Sequence, residues 1–223
     1  MSRKVSYSHP GIGLLKLTFT LAFAGINAPQ AGASDLAERP GVEDEFVTAI
    51  ASEQERLWNV MLFGGPLSSG SLEDVLLFKS DYEDAGFVGL ALGREVYSND
   101  WFSIELEGGI GQMFGDSRGA QVWGAGYARW HRFPWNNTLR TTIAASIGLN
   151  YSFRDLRFER QSAAPDDAKK LLHYFSPEVT FALPEYEQTE LVFRIHHRSS
   201  VYGLFDCRNC GSNTPTIGVR YRF

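Results

Sequence analysis

The sequence predicts an all-β chain folded as an eight-stranded antiparallel up-and-down transmembrane β-barrel. Three observations lead there. Past the N-terminal segment no run of about 18 apolar residues occurs, so no transmembrane helix is expected. Apolar and polar residues instead alternate at period two along many segments, the signature of strands that face lipid on one side only. Short and long connections also alternate between those segments, matching the two unlike ends of a membrane barrel.

The first 33 residues read as a cleaved signal peptide. Arg3, Lys4 and Lys16 supply the positive region, Leu17 to Ile26 the apolar region, and Ala31-Gly32-Ala33 a small-x-small cleavage site before Ser34. The alternative is an uncleaved anchor. Residues 34–57 form a periplasmic lead-in or a short amphipathic helix around Phe46, Val47, Ile50 and Leu57. The barrel itself is expected over 58–223. Cleavage would remove three basic residues and no acidic one, taking the formal charge from −5 to −8. An acidic chain of this kind argues against nucleic acid as a partner.

Eight strands are expected near 58–65, 85–95, 101–114, 120–133, 138–153, 171–183, 187–200 and 213–223. In the third, Phe102, Ile104, Leu106 and Ile110 oppose Ser103, Glu105, Glu107 and Gly109. The fifth sets Leu139, Thr141, Ile143, Ala145, Ile147, Leu149 and Tyr151 against Arg140, Thr142, Ser146, Asn150 and Ser152. In the seventh, Leu191, Phe193 and Ile195 oppose Glu190, Arg194, His196 and Arg198, and in the last Ile217, Val219, Tyr221 and Phe223 oppose Thr216, Arg220 and Arg222.

Short turns are expected at Tyr97–Asp100, Pro134–Asn137 and Pro184–Tyr186; the links 66–84, 154–170 and 201–212 are long and polar, with 115–119 a short exception. Tyr97, Trp101, Phe102, Trp130, Phe133, Trp135 and Tyr221 gather near the short turns as an interfacial girdle. An even strand count brings the end of the chain back to the periplasmic side. There Phe223, closing an alternating strand, resembles the signal read by the barrel-assembly machinery. Glu105, Glu107, Arg140, Glu178, Arg194, Arg220 and Arg222 would line the lumen, which side chains fill in a barrel of eight strands. A soluble lipocalin-like barrel is the architectural alternative, but it would reverse the apolar and polar faces.

The two cysteines, Cys207 and Cys210, form a C-x-x-C without a second pair or nearby histidines to complete a zinc site. In an oxidising compartment the pair reads as a small loop-closing disulfide, with a redox pair or free thiols as alternatives.

Chemistry concentrates at the end of the seventh strand. His197 and Ser199 are two residues apart and so leave the strand on the same, lipid-facing side. A neighbouring imidazole can take the proton of a serine hydroxyl as it attacks a carbonyl, and a third group orients the imidazole. Asn213 shares the outward parity of Ile217 and Val219 and is the expected orienter, with Ser212 or the loop residue Asp206 as lesser candidates. His196 faces inward beside Arg194 and Arg198, and His131 and His173 read as structural. Arg198 and Arg208 read as surface arginines at the rim, where lipid phosphate contact is the alternative.

This layout resembles the PagL-type outer-membrane lipid A deacylases, eight-stranded barrels that remove an ester-linked acyl chain from lipopolysaccharide. Their seventh strand carries His-x-Ser-Asn, followed about a dozen residues later by a Glu at the start of the last strand. The resemblance puts the base on His197 and the nucleophile on Ser199, and implies an active site on the outer barrel wall of the bacterial outer membrane. It rests on the last 30-odd residues by motif and on size and strand count elsewhere. The chain departs twice: Ser200 follows the nucleophile where the family has Asn, and no Glu lies in 210–223.

The expected function is therefore hydrolysis of an acyl ester of lipid A, through an acyl-enzyme on Ser199, with backbone N–H groups near Ser200 to Gly203 holding the oxyanion. No metal or organic cofactor is implied. The alternative is a non-catalytic barrel with a structural or adhesive role, in which His197 and Ser199 are ordinary interfacial residues.

Overall fold

The computed structural model describes residues 57–156, 169–201, 204–205, 207 and 210–223. Nine strands are present among them: β1 (Trp58–Ser68), β2 (Tyr82–Ser98), β3 (Phe102–Gly115), β4 (Gly119–Trp130), β5 (Arg140–Ser152), β6 (Leu171–Phe175), β7 (Glu178–Ala182), β8 (Thr189–Ser199) and β9 (Gly211–Arg222). Neighbours in sequence pair antiparallel except β6 and β7, and β1 pairs with β9 to close the ring. β6 and β7 both pair with β5 on one side and β8 on the other, so together they make one stave of eight. The expected signal peptide and almost all of the lead-in lie outside the described residues.

The sixth expected strand is thus two strands. Pro177 has no N–H to give the ladder, and a proline inside a central strand breaks it. The freed groups are recovered locally: the Ile195 N–H donates to the Pro177 carbonyl at 3.1 Å and the Ser176 N–H to Ser146 Oγ at 2.8 Å.

The outward face is apolar along every stave. Leu62, Leu90, Leu106, Ile147, Phe193 and Val219 are all exposed, with Ile147 at 71%. Alternation thus sets the wall of the barrel against hydrocarbon, where only a closed sheet leaves no unsatisfied backbone edge. At the short-turn end Trp58, Tyr97, Trp101, Trp130, Trp135 and Tyr221 form a belt; the Arg132 guanidinium stacks 4.0 Å over Trp101.

The lumen is packed. In the half nearer the short turns four arginines meet four glutamates. Glu178 is the hub, bonded to Arg129 at 2.7 Å, to Arg220 at 2.7 Å and to Arg194 at 2.8 Å. Arg194 also grips Glu107 through two bonds of 2.8 Å, and Arg222 bridges Glu190 at 2.7 Å to Glu105 at 2.8 Å. Charges removed from water in this way are tolerated because each is paired and hydrogen-bonded. The other half is filled by Phe63, Phe87, Trp123 and Tyr174, whose rings surround the buried His196. His196 is a lumen residue, as its parity predicts.

One expected lining residue is displaced. Arg140 sits at the mouth of the barrel with its side chain 49% exposed and pairs with Glu187 of the neighbouring turn. As the first residue of β5, it lies too close to the barrel's end to reach the network. Arg129, from β4, fills that role instead.

Candidate active site

The 69–81 connection carries an element that its polar composition hid: α1 (Leu72–Leu76). Ser71 caps it. Its Oγ accepts from the Asp74 N–H at 3.1 Å, and Asp74 Oδ2 accepts from the Ser71 N–H at 2.9 Å. Ser71-x-x-Asp74 before Val75-Leu76-Leu77 is a capping-box pattern that could have been read from the residues alone.

α1 overhangs the long-loop end of β8 and β9, and beneath it lies a groove of about 850 Å³. Its floor comes from three staves. His197 lies opposite Asn213 on β9 and opposite Phe175 on β6, and Ser199 lies opposite Gly211 and opposite His173. His197 and Ser199 are half-buried and Asn213 is 8% exposed. The Phe175 ring packs edge-on to the His197 imidazole at 6.3 Å.

His197 and Asn213 are in contact across the β8–β9 pair. His197 Nδ1 lies 2.5 Å from Asn213 Oδ1, while Asn213 Nδ2 donates to the Gly70 carbonyl at 2.9 Å. This chain of contacts assigns the protons. A carbonyl only accepts, so Nδ2 must face Gly70; Oδ1 then faces the imidazole, so Nδ1 must carry the hydrogen. Nε2 keeps its lone pair, which is the form a general base needs. The bond to Gly70 also explains why an amide suits position 213: a carboxylate would set an acceptor against an acceptor.

Other expectations fare differently. No hydrogen bond joins His197 and Ser199; they share a face and a groove but not a proton in this arrangement. Ser212 has the opposite parity, pairing with the inward Arg198, and so is no orienter. The Ser200 N–H is committed to the Cys210 carbonyl at 3.1 Å, which removes it from the expected oxyanion donors. Arg198 is fully buried rather than at the surface, and donates to the Lys170 carbonyl at 3.0 Å. Tyr202, Gly203, Asp206 and Arg208 lie outside the described residues.

Cys207 and Cys210 are joined by a disulfide and pack against Leu172 and Phe205, so the pair closes its loop. Gly211 follows, with φ of +149°, a region that favours glycine; a Cβ there would collide with the Arg198 carbonyl. Having no side chain at 211 leaves that flank of Ser199 open. Sequence reading missed His173, Gly70 and Gly211 as site components. Their places depend on cross-strand register, although the outward parity that His173 shares with Phe175 was visible.

Fold and site together define a small β-barrel of the outer-membrane class with an imidazole–amide pair and a serine on its lipid-facing wall. No protein-family model and no curated protein matches the sequence. Solved structures do match. The outer membrane enzyme PagL has a TM-score of 0.53 at 12% identity, covering 74% of this chain and 99% of that one. Neisserial surface protein A gives 0.45 at 11% identity over 74% and 97%, and OprG from Pseudomonas aeruginosa 0.35 at 10% over 76% and 98%. At 12% identity the likeness to PagL shows the fold alone.

Proposed function

We propose that this barrel is an ester hydrolase of the outer leaflet of the bacterial outer membrane, removing an acyl chain from lipid A. The observation that carries the reading is the His197–Asn213–Gly70 chain, which holds one imidazole tautomer beside an outward-facing serine. In this reading His197 Nε2 takes the Ser199 proton as Oγ attacks the ester carbonyl. The tetrahedral intermediate collapses, the leaving hydroxyl recovers the proton from His197, and Ser199 holds the acyl group. Water, deprotonated by the same Nε2, then releases the fatty acid. Asn213 keeps the ring oriented but brings no charge to stabilise the imidazolium, so turnover is expected below that of a site with a carboxylate.

A position on the lipid wall suits such a substrate, because the acyl chains of lipid A lie in the hydrocarbon that bathes β8 and β9. The overall likeness to an outer membrane enzyme supports the reading without deciding it. One observation favours a second reading, a non-catalytic barrel acting through its loops: the missing bond between His197 and Ser199. Catalytic hydrogen bonds are often long before substrate arrives, so this contact alone does not exclude the first.

Expression in a Gram-negative host and mass spectrometry of extracted lipid A separates the two. The hydrolase reading expects loss of one acyl mass with the wild-type chain and full retention with Ser199→Ala. Identical spectra from both would support the non-catalytic barrel.

A further inference from the structure

The mechanism above lacks a partner for the negative oxygen that forms on the carbonyl. One expected backbone donor, the Ser200 N–H, is occupied by the Cys210 carbonyl. A side-chain donor in the groove can supply that hydrogen bond.

His173 meets that need. It stands directly across from Ser199 in the β6–β8 pair, on the stave opposite to the one that carries Asn213. Directly opposed residues in an antiparallel pair project to the same face with Cβ atoms about 4.5–5.5 Å apart. Both residues line the groove. The His173 ring makes no hydrogen bond among the described residues, so its N–H is uncommitted, unlike those of His196 and His197. Serine is thus flanked by two imidazoles with different surroundings. One is tied through Nδ1 to Asn213 and offers a lone pair; the other has no orienting partner and offers a donor.

We propose that His173 is a catalytic residue whose ring N–H holds the oxyanion of the tetrahedral intermediate. This rests on the hydrolase reading above. An oxyanion site must lie about 3 Å from both the nucleophile and its donor, and an imidazole directly across the strand pair from Ser199 is placed to meet that requirement. The donor contributes only when the carbonyl oxygen gains charge, so it acts on kcat and leaves substrate binding almost unchanged.

The test uses the full mature chain refolded in detergent, with release of fatty acid from lipopolysaccharide as the readout. Heat-modifiable migration shows that each variant is folded; should His173→Leu fail this, His173→Val takes its place. His173→Leu is expected to lower kcat by about 100- to 1,000-fold with KM within about threefold, the usual effect of losing an oxyanion donor. His173→Gln, which returns an N–H at similar reach, is expected to recover at least about tenfold of that loss. An active wild type, an inactive Ser199→Ala and a His173→Leu variant at wild-type rate would overturn the role of His173 and leave the hydrolase standing. A Gln variant as slow as the Leu variant would likewise remove the donor role. A wild type that releases no fatty acid would overturn both.

Discussion

His197 Nδ1 and Asn213 Oδ1 lie 2.5 Å apart across the β8–β9 pair, and the other end of the same amide is held by the Gly70 carbonyl at 2.9 Å. Asn213 therefore does two things at once: it sets the imidazole and ties the α1 connection to the barrel wall. Replacing it with alanine should lower acyl release by about 100-fold or more, the range in which a mispositioned general base falls. Limited proteolysis within 69–81 should rise in parallel. Kinetics on refolded protein and peptide mapping check the two arms.

Glu178 receives three guanidinium groups in the half of the lumen nearer the short turns. Glu178→Ala leaves buried positive charge without its hub and should destabilise the barrel by about 3–5 kcal/mol. The midpoint of urea unfolding in detergent reads this out. Arg140→Ala, at the exposed mouth, should shift it by about 1 kcal/mol or less, as exposed ion pairs do.

Ile147 stands in the middle of β5, paired with Gly126, with its side chain outward. Because that face meets hydrocarbon, Ile147→Arg should cost about 2–4 kcal/mol of folding into bilayers. Ile147→Leu should leave folding unchanged. Equilibrium refolding into phosphatidylcholine vesicles separates them.

The Cys207–Cys210 disulfide closes a very short loop, and chain-entropy arguments give such a link about 2 kcal/mol. Reduction should leave the heat-modifiable barrel intact. Cleavage between 200 and 210 by added protease should increase, because the Ser200 to Cys210 contact is no longer held from both sides.

Much of the fold was legible because a barrel strand declares its two faces by alternation alone. Glu105, Glu107, Arg194 and Arg220 fell inward and Leu106, Ile147, Phe193 and Val219 outward, as their parity requires. What alternation does not carry is position along the barrel axis, so parity alone places Arg140 in a network that it is too near the mouth to join. Pro177 was visible in the sequence, but the break it makes matters only beside Ile195 and Ser146, which lie on neighbouring staves. The site shows the same division. His197, Ser199 and Asn213 could be put on one face from spacing. That His173 stands across from Ser199, and that Gly70 holds Asn213, needed the register of strands far apart in the chain. The Ser200 N–H illustrates the cost of ignoring local backbone bonding: a donor nominated by proximity was already in use.

Activation of Ser199 by the His197–Asn213 pair is tested most directly by covalent capture of that serine. The refolded barrel would be treated with a long-chain alkyl fluorophosphonate, which forms a phosphonyl ester with an activated serine and releases fluoride, and the site would be mapped by peptide mass spectrometry. The account predicts one adduct, on Ser199, lost in His197→Ala and strongly slowed in Asn213→Ala. An unlabelled Ser199 in the folded wild type, or labelling that persists undiminished in His197→Ala, would contradict it.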